Sequence, residues 1–384
     1  MKRPFIISGT GCALVDYLYK PVCFTDEVFG RFLSQQPGDG GLTPGKLVFT
    51  EEFEKFSKAP YLQTRGLITK GKEPVALNIG GPSIVSLIHA AQLLHGTDAE
   101  VYFYGSKGND NGGRFIDEKL KATPLNVGQY KTGSLYTPFT DVLSDPDYDG
   151  GHGERIFINN IGAAWEFLPG DLDDKFFMSN MVVFGGTALV PNIHNALEEL
   201  LERAKNNQAI TVVNTVYDFL NEKNNPSQRW PVGKSINAYK KIDLLIADME
   251  EAYRLSGTSN AGAAMEFFKS TGVGSVIITH GSKPVHFFAR NDLFGDIPVS
   301  QLPVSARVIA ELSGEVQRSG DTTGCGDNFV GGVIASLAVQ LMEPDCCRVN
   351  LHKAVALALC QEVLPVFTTE ALITKIIMVR KPKK

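Results

Sequence analysis

Short apolar runs alternate along this chain with stretches whose apolar residues recur at helical spacing. Phe5-Ile6-Ile7 begins a strand. Ile84, Ile88, Ala91 and Leu94 then form one stripe of a helix that Gly96 ends. Residues 101–105 (VYFYG) read as a strand and 112–122 (GGRFIDEKLKA) as a short helix. Further on, 181–186 (MVVFGG) reads as a buried strand, and Ile193, Leu197, Leu200, Leu201 and Ala204 share one helix face. The runs 211–214, 243–247 and 275–279 are short and apolar, with helical segments between them. Such alternation predicts a mostly parallel sheet with helices on both faces, a three-layer α/β/α sandwich.

Two stretches break the rhythm. Residues 20–75 are rich in turn signals, among them Gly38-Asp39-Gly40-Gly41 and Pro44-Gly45. Residues 133–160 contain two extended segments, TPFTDVLSD and RIFINN, around the turn-rich DPDYDGGHG. The second stretch predicts a hairpin standing off the main sheet. Together they predict a small β-rich lid, discontinuous over about 17–75 and 130–160, on a single α/β domain spanning 1–384. A lid there would cover the strand ends, where open α/β sheets bind ligands.

Composition narrows the class. With 43% hydrophobic and 21% charged residues in 384, the chain has enough apolar content to build a core and is not disordered. The net charge of −5 excludes a broad nucleic-acid footprint. No uninterrupted apolar run has the ~18 residues that a membrane span needs. The opening MKRPFIISGTG lacks the apolar core of a signal peptide and reads as a first strand. Cysteines at 12, 23, 325, 346, 347 and 360 form no C-x-x-C pair, and Cys346, Cys347 and His352 lack the further spaced ligands of a zinc site. A reducing, cytoplasmic setting is expected, and the basic MVRKPKK terminus reads as a solvated tail. Gly9-Thr10-Gly11 lacks the third glycine of a dinucleotide fingerprint. His89 falls in an apolar helical pattern and reads as packed, His152 as a loop-tip residue, and the acids at 145–149 as a solvated turn.

The sharpest chemical signal is RSGDTTGCGDNFVGGVIASLAVQ at 318–340. Gly324-Cys325-Gly326 runs into Asp327 and a strongly apolar helix. Consecutive backbone N–H groups at a helix N-terminus can hold an anion, and a carboxylate at their edge can take a proton from an acceptor. A capped structural turn is the alternative reading of the same residues. A second signal pairs the Gly80-Gly81 turn and its helix with a strand leading into G-x-x-G-x-D-x-x-G, with Gly105, Gly108, Asp110 and Gly113. A helix start near a bend is the alternative for the first half.

These segments resemble the signatures of the PfkB/ribokinase family of carbohydrate kinases. DTTGCGD is similar to the family's D-T-x-G-A-G-D, and GGPSIVSLIHAAQLL with YGSKGNDNGG is similar to its N-terminal signature. ISGTGCALVDYL resembles the opening strand, with Asp16 where a carboxylate contacts substrate hydroxyls. ADMEEAYRLSG resembles the N-x-x-E segment, with Asp248 and Glu251 matching, and VIITHGSKP resembles the nucleotide strand-loop, with Thr279 and Gly281 matching. The ordered motifs cover nearly the whole chain.

The resemblance implies a ribokinase-like fold and an ATP- and Mg²⁺-dependent phosphotransferase acting on an alcohol. Asp327 would be the general base, and the amides of Gly324, Cys325 and Gly326 the anion hole. Asp16, Gly80 and Gly81 would bind substrate, and Asp248, Glu251, Thr279 and Gly281 the nucleotide side, with Glu251 meeting Mg²⁺ through water. Asp321 and Thr323 match positions that hold K⁺ in some members. ERIFINNIGAAWEF is similar to the lid-return segment of the adenosine-kinase-like branch, where Arg155 matches an arginine that reaches the phosphates. The long segment between Asp16 and Gly80 leans the same way.

Departures shape the substrate expectation. Val85 stands where the family often has an Asn that binds sugar hydroxyls, so ribose is expected to be a poor substrate. Asp248 replaces Asn, Cys325 the common Ala, and Pro284 a Gly of the nucleotide loop. The expected acceptor is a sugar or sugar derivative, with a purine nucleoside as the alternative and a non-catalytic sugar- or nucleotide-binding sensor as a further one. Neither nucleic acid nor membrane is an expected partner, and the expected assembly is a monomer or homodimer.

Overall fold

The computed structural model describes residues 3–36, 38–304 and 324–360. The order of strands is β1 (Phe5–Gly11), β2 (Leu14–Tyr19), β3 (Leu47–Phe49), β4 (Ala76–Gly80), β5 (Ala99–Lys107), β6 (Asn126–Thr132) and β7 (Phe139–Asp145). After these come β8 (Glu154–Asn160), β9 (Met181–Gly185), β10 (Ile210–Asn214), β11 (Leu244–Asp248), β12 (Ser275–His280), β13 (Lys283–Asn291) and β14 (Gly295–Leu302). Nine of them form one sheet in the order β14-β13-β12-β11-β10-β9-β1-β5-β6. Strands β6 to β12 of that order run parallel, and at the other edge the β12–β13 and β13–β14 pairings are antiparallel. Every residue of β9 is buried, as a strand covered on both faces by helices must be.

The chain builds outward from β1 in two directions, through β5 and β6 on one side and β9 to β12 on the other. The carboxyl ends of β1 and β9 therefore flank a topological switch point, where crossover connections part and leave a crevice. Two apolar helices end on this crevice. Pro82–Leu94 and Cys325–Met342 lie against one another so closely that a Cβ on Gly331 would sit 2.5 Å from the Ser86 carbonyl oxygen. The helix expected to bury one stripe is in fact buried all round, because the sheet covers one side and the second helix the other. Ser83 to Leu94 are all buried, His89 among them. The Cys325–Met342 helix is long and apolar enough to cross a membrane, yet 67% of it is buried inside the protein.

The second sheet has five strands in the order β3-β8-β7-β2-β4. Its β7–β8 pair is the hairpin that the sequence pattern predicts, antiparallel from Phe139↔Asn160 to Asp145↔Glu154. The turn-rich 20–75 stretch holds more regular structure than its glycines suggest. Helices Thr50–Ser57 and Tyr61–Ile68 pack with Phe24, Phe29, Phe53, Leu143, Ile156 and Ile158 in a small core on the outer face. Within it Asp141, fully buried on β7, accepts a hydrogen bond from the Tyr61 hydroxyl, and Arg65 lies 3.5 Å from the same oxygen. Burial pushes the Asp141 carboxyl up to about 6 against the opposing pull of Tyr61 and Arg65.

Two expectations need correction. The helix read through residues 193–204 is broken at Ala196 into Pro191–Asn195 and Leu197–Asn206, although Ile193, Leu197, Leu200, Leu201 and Ala204 all remain buried. The acids at 145–149 are not a uniformly solvated turn. Asp145 is buried and accepts the backbone N–H of Phe24 at 2.7 Å and that of Asp147 at 3.0 Å, so it ties the hairpin to the 20–30 segment. His152 is exposed in the β7–β8 connection, as expected.

Candidate active site

Gly324, at φ 84°, caps the Cys325–Met342 helix, so the glycine-rich turn opens directly into a helix N-terminus. The turn then presents backbone N–H groups that the helix itself does not use, with a favourable field for negative charge. Asp327 sits in the first turn. Part of its side chain is still reached by solvent, yet its enclosed surroundings push its carboxyl up to about 6. Asp321 and Thr323, with the remainder of 305–323, lie outside the described residues, as does the basic C-terminal tail.

Asp16 projects from β2 against the Gly80-Gly81 turn. A Cβ on Gly80 would collide with the Asp16 carboxylate, which gives that glycine a specific reason to be there. Gly81 caps the Pro82–Leu94 helix. Asp16 and Asp327 come from opposite ends of the chain, yet both act on the buried Cys12 thiol, whose pKa is raised first by burial and then by these two charges. The crevice thus carries two carboxylates and two helix N-termini at the switch point. Val85 is buried in the first turns of its helix, where its side chain offers no hydrogen bond.

On the other side of the crevice, Asp248 and Glu251 open the helix Met249–Ser256 as a reciprocal capping box. Asp248 Oδ1 accepts the Glu251 backbone N–H at 2.8 Å, and Glu251 Oε2 accepts that of Asp248 at 3.0 Å. The Thr215 hydroxyl, just past β10, also donates to Glu251 Oε2 at 2.6 Å. Burial raises the Glu251 carboxyl well above the carboxylate range, and the charges of Asp248 and Asp327 raise it further. Among the described residues no three His, Cys, Asp or Glu side chains form a metal cage. A buried carboxylate raised by its acidic neighbours does fit Mg²⁺ held jointly by water and phosphate oxygens, the usual manner for this ion. Thr279 lies beside Asp248 in the β11–β12 register, and Gly281 turns the chain towards β13. Arg155 stands on β8 four residues out from Asn159, about 13 Å along the strand on the same face.

Asp110 has a local duty. Its carboxylate accepts the Gly113 N–H at 2.9 Å, the Thr137 hydroxyl at 2.6 Å and the Thr137 N–H at 2.8 Å. It therefore caps the Asn111–Leu120 helix and fastens the segment that leads into β7. Sequence reasoning missed Thr215, since a lone threonine between Asn214 and Val216 carries no signal.

Fold and crevice together define a ribokinase-type α/β protein, with its site at the strand ends beneath a second sheet. The chain belongs to the pfkB family of carbohydrate kinases, whose family model matches residues 69–362. It is similar in structure to adenosine kinase from Anopheles gambiae in complex with P1,P4-di(adenosine-5) tetraphosphate, with a TM-score of 0.66, 19% identity and 100% of each chain covered. It is also similar to ribokinase from Thermotoga maritima, with a TM-score of 0.62, 18% identity, and 98% of this chain and 100% of that one covered. An E. coli protein assigned as a ribokinase II, in complex with ATP and Mg²⁺, gives 0.61 and 16%, covering 98% and 99%.

Proposed function

We propose that the protein is an ATP-dependent kinase that phosphorylates a hydroxyl of a sugar or sugar derivative. The observation that carries this reading is that Asp16, set against the Gly80-Gly81 turn, and Asp327 stand at the N-termini of two helices packed on one another. Asp16 orients the acceptor against Gly80 and Gly81. Asp327 accepts the proton of the attacking hydroxyl, and its raised pKa makes it a stronger base than an exposed aspartate while leaving it ionised at neutral pH. The backbone N–H groups of Gly324, Cys325 and Gly326 receive the charge that builds up on the transferring phosphoryl group.

Thr279, Gly281 and Asp248 flank the nucleotide, and Glu251 would hold Mg²⁺ through water. When bound, Mg²⁺ offsets the charge of the phosphate oxygens. Residues 17–75 and 130–160 act as the lid, and Arg155 reaches the phosphates from its far end. Potassium activation rests on Asp321 and Thr323 alone. The six cysteines are free thiols, which supports a reducing, cytoplasmic setting.

A purine nucleoside acceptor is the second reading, favoured by the buried Val85 in place of a hydroxyl-binding side chain. The test is a phosphorylation screen over sugars, sugar acids and nucleosides that measures ADP and phosphorylated product together. Matched formation of both supports the kinase. Binding of sugar or nucleotide without any product would instead identify a sensor.

A further inference from the structure

The face of the second sheet that bears Asp16 carries more polar groups than the proposed reaction uses. Asn78 on β4, Asp16 on β2, Thr140 on β7 and Asn159 on β8 are direct cross-strand partners in series. Residues so paired project to the same face. Phe49 on β3 continues the row beyond Asn159 and belongs to the apolar cluster of Phe184 and Leu189, so this face is turned to the main sheet. The alternate residues Leu143 and Ile158 lie in the small core under the outer helices.

Thr140 and Asn159 are 6% and 1% exposed. Asn159 Nδ2 donates to the Thr140 hydroxyl oxygen at 2.9 Å, while Asn159 Oδ1 is buried without a hydrogen-bond partner. Leaving such an acceptor unpaired costs stability that an apolar residue at the same place would retain. Thr140 and Asn159 thus form a prepared polar position that lacks one donor, in line with the carboxylate that faces the acceptor.

We propose that Thr140 and Asn159 form a second recognition point for the acceptor, and that the acceptor carries a hydrogen-bond donor matched to Asn159 Oδ1. Adjacent strands lie about 4.8 Å apart, so Asp16 and Asn159 stand roughly 10 Å from one another across the sheet. With both side chains reaching inward, the acceptor presents its second donor several ångströms from the hydroxyl at Asp16. A compact pentose meets only the near side. A nucleoside with an exocyclic amine, or a longer sugar derivative, meets both. The role as acceptor rests on the kinase reading, whereas the binding position does not.

The test is calorimetric titration of wild type, Thr140→Val, Thr140→Ser and Asn159→Leu, each with a non-hydrolysable ATP analogue present. The probes are adenosine, purine riboside (which lacks the exocyclic amine), D-fructose and D-ribose, and thermal melting checks each fold. At least one of adenosine and D-fructose is expected to bind wild type and to bind Thr140→Val and Asn159→Leu roughly tenfold or more weakly. Thr140→Ser should restore affinity, and affinity for the ATP analogue should stay near wild type. If the donor is the amine, wild type prefers adenosine to purine riboside, and Asn159→Leu abolishes the preference. If the donor is a sugar hydroxyl, the loss falls on D-fructose and not on D-ribose.

Should Asn159→Leu fail to fold, the Thr140 pair decides alone. Unchanged probe affinity in the folded variants overturns the proposal. An equal loss of ATP-analogue affinity, or failure of wild type to bind any probe, overturns it as well. Weakened probe binding in the variants, with no phosphate transfer by wild type, would overturn the kinase reading and uphold this one.

Discussion

The hydroxyl of Thr215 donates to Oε2 of Glu251 across 2.6 Å and so joins the end of β10 to the first turn of the next helix but one. It fixes the carboxylate orientation and favours its ionised form, against burial and two neighbouring negative charges. Thr215→Val keeps the shape and removes the donor. The Mg²⁺ concentration for half-maximal activity is expected to rise roughly three- to tenfold, with little change in acceptor KM. Mg²⁺ titration at fixed ATP measures this, and an unchanged midpoint would contradict a link from Thr215 to the metal.

Replacing Asp327 with Asn retains the size of the side chain and removes the proposed base. Turnover is expected to fall at least about a hundredfold, with ATP affinity near wild type. In the folded state burial lifts the Asp327 carboxyl above the ordinary aspartate value to about 6, so ionising it costs stability as pH rises from about 4 to about 6. Above that window the ligand-free Asn variant should melt no lower than wild type. A variant with near-normal kcat would mean that Asp327 is not the base.

The same raised value predicts the pH profile. The base must be ionised to work, so kcat/KM at saturating Mg²⁺ should be level above about pH 7 and fall steeply below about pH 6. Initial rates in overlapping buffers test this. A level profile down to about pH 4.5 would show that no group with a raised pKa limits the reaction.

Val85 bears on acceptor choice. A site with an apolar side chain at this position loses discrimination for a hydroxyl that an Asn would bind. Ribose is therefore expected to be turned over much more slowly than the best acceptor in a panel, and Val85→Asn should narrow the gap. Ribose turnover equal to the best acceptor refutes this.

The buried Asp141 depends on the Tyr61 hydroxyl as a donor. Tyr61→Phe leaves the carboxyl with the more distant Arg65 and should destabilise the second sheet and its outer helices by about 1–3 kcal/mol. Denaturant unfolding gives the value. Activity per folded molecule should change little, since Asp141 points to the outer face. A loss well below ~1 kcal/mol would show that the pair is dispensable.

Local chemistry was legible in the sequence. Continuous apolar runs marked buried parallel strands, because a strand covered on both faces has no polar side to show. Glycines followed by Asp327 marked a helix N-terminus, since capping and backbone approach are decided within a few residues. The β7–β8 hairpin could be read from two extended segments around a glycine-rich turn. Other features required the tertiary structure. The glycines and prolines of 20–75 concealed two helices whose stability comes from packing on the second sheet. Asp145 looked like a surface acid until the fold enclosed it and supplied its donors. The row of Asn78, Asp16, Thr140 and Asn159 exists only through the pairing register of four strands, two of them more than a hundred residues from Asp16. A shift of one residue in any pairing would turn that side chain to the opposite face. Sequence-local propensities set which segments are strands, whereas register is settled by burying one whole face against the rest of the molecule.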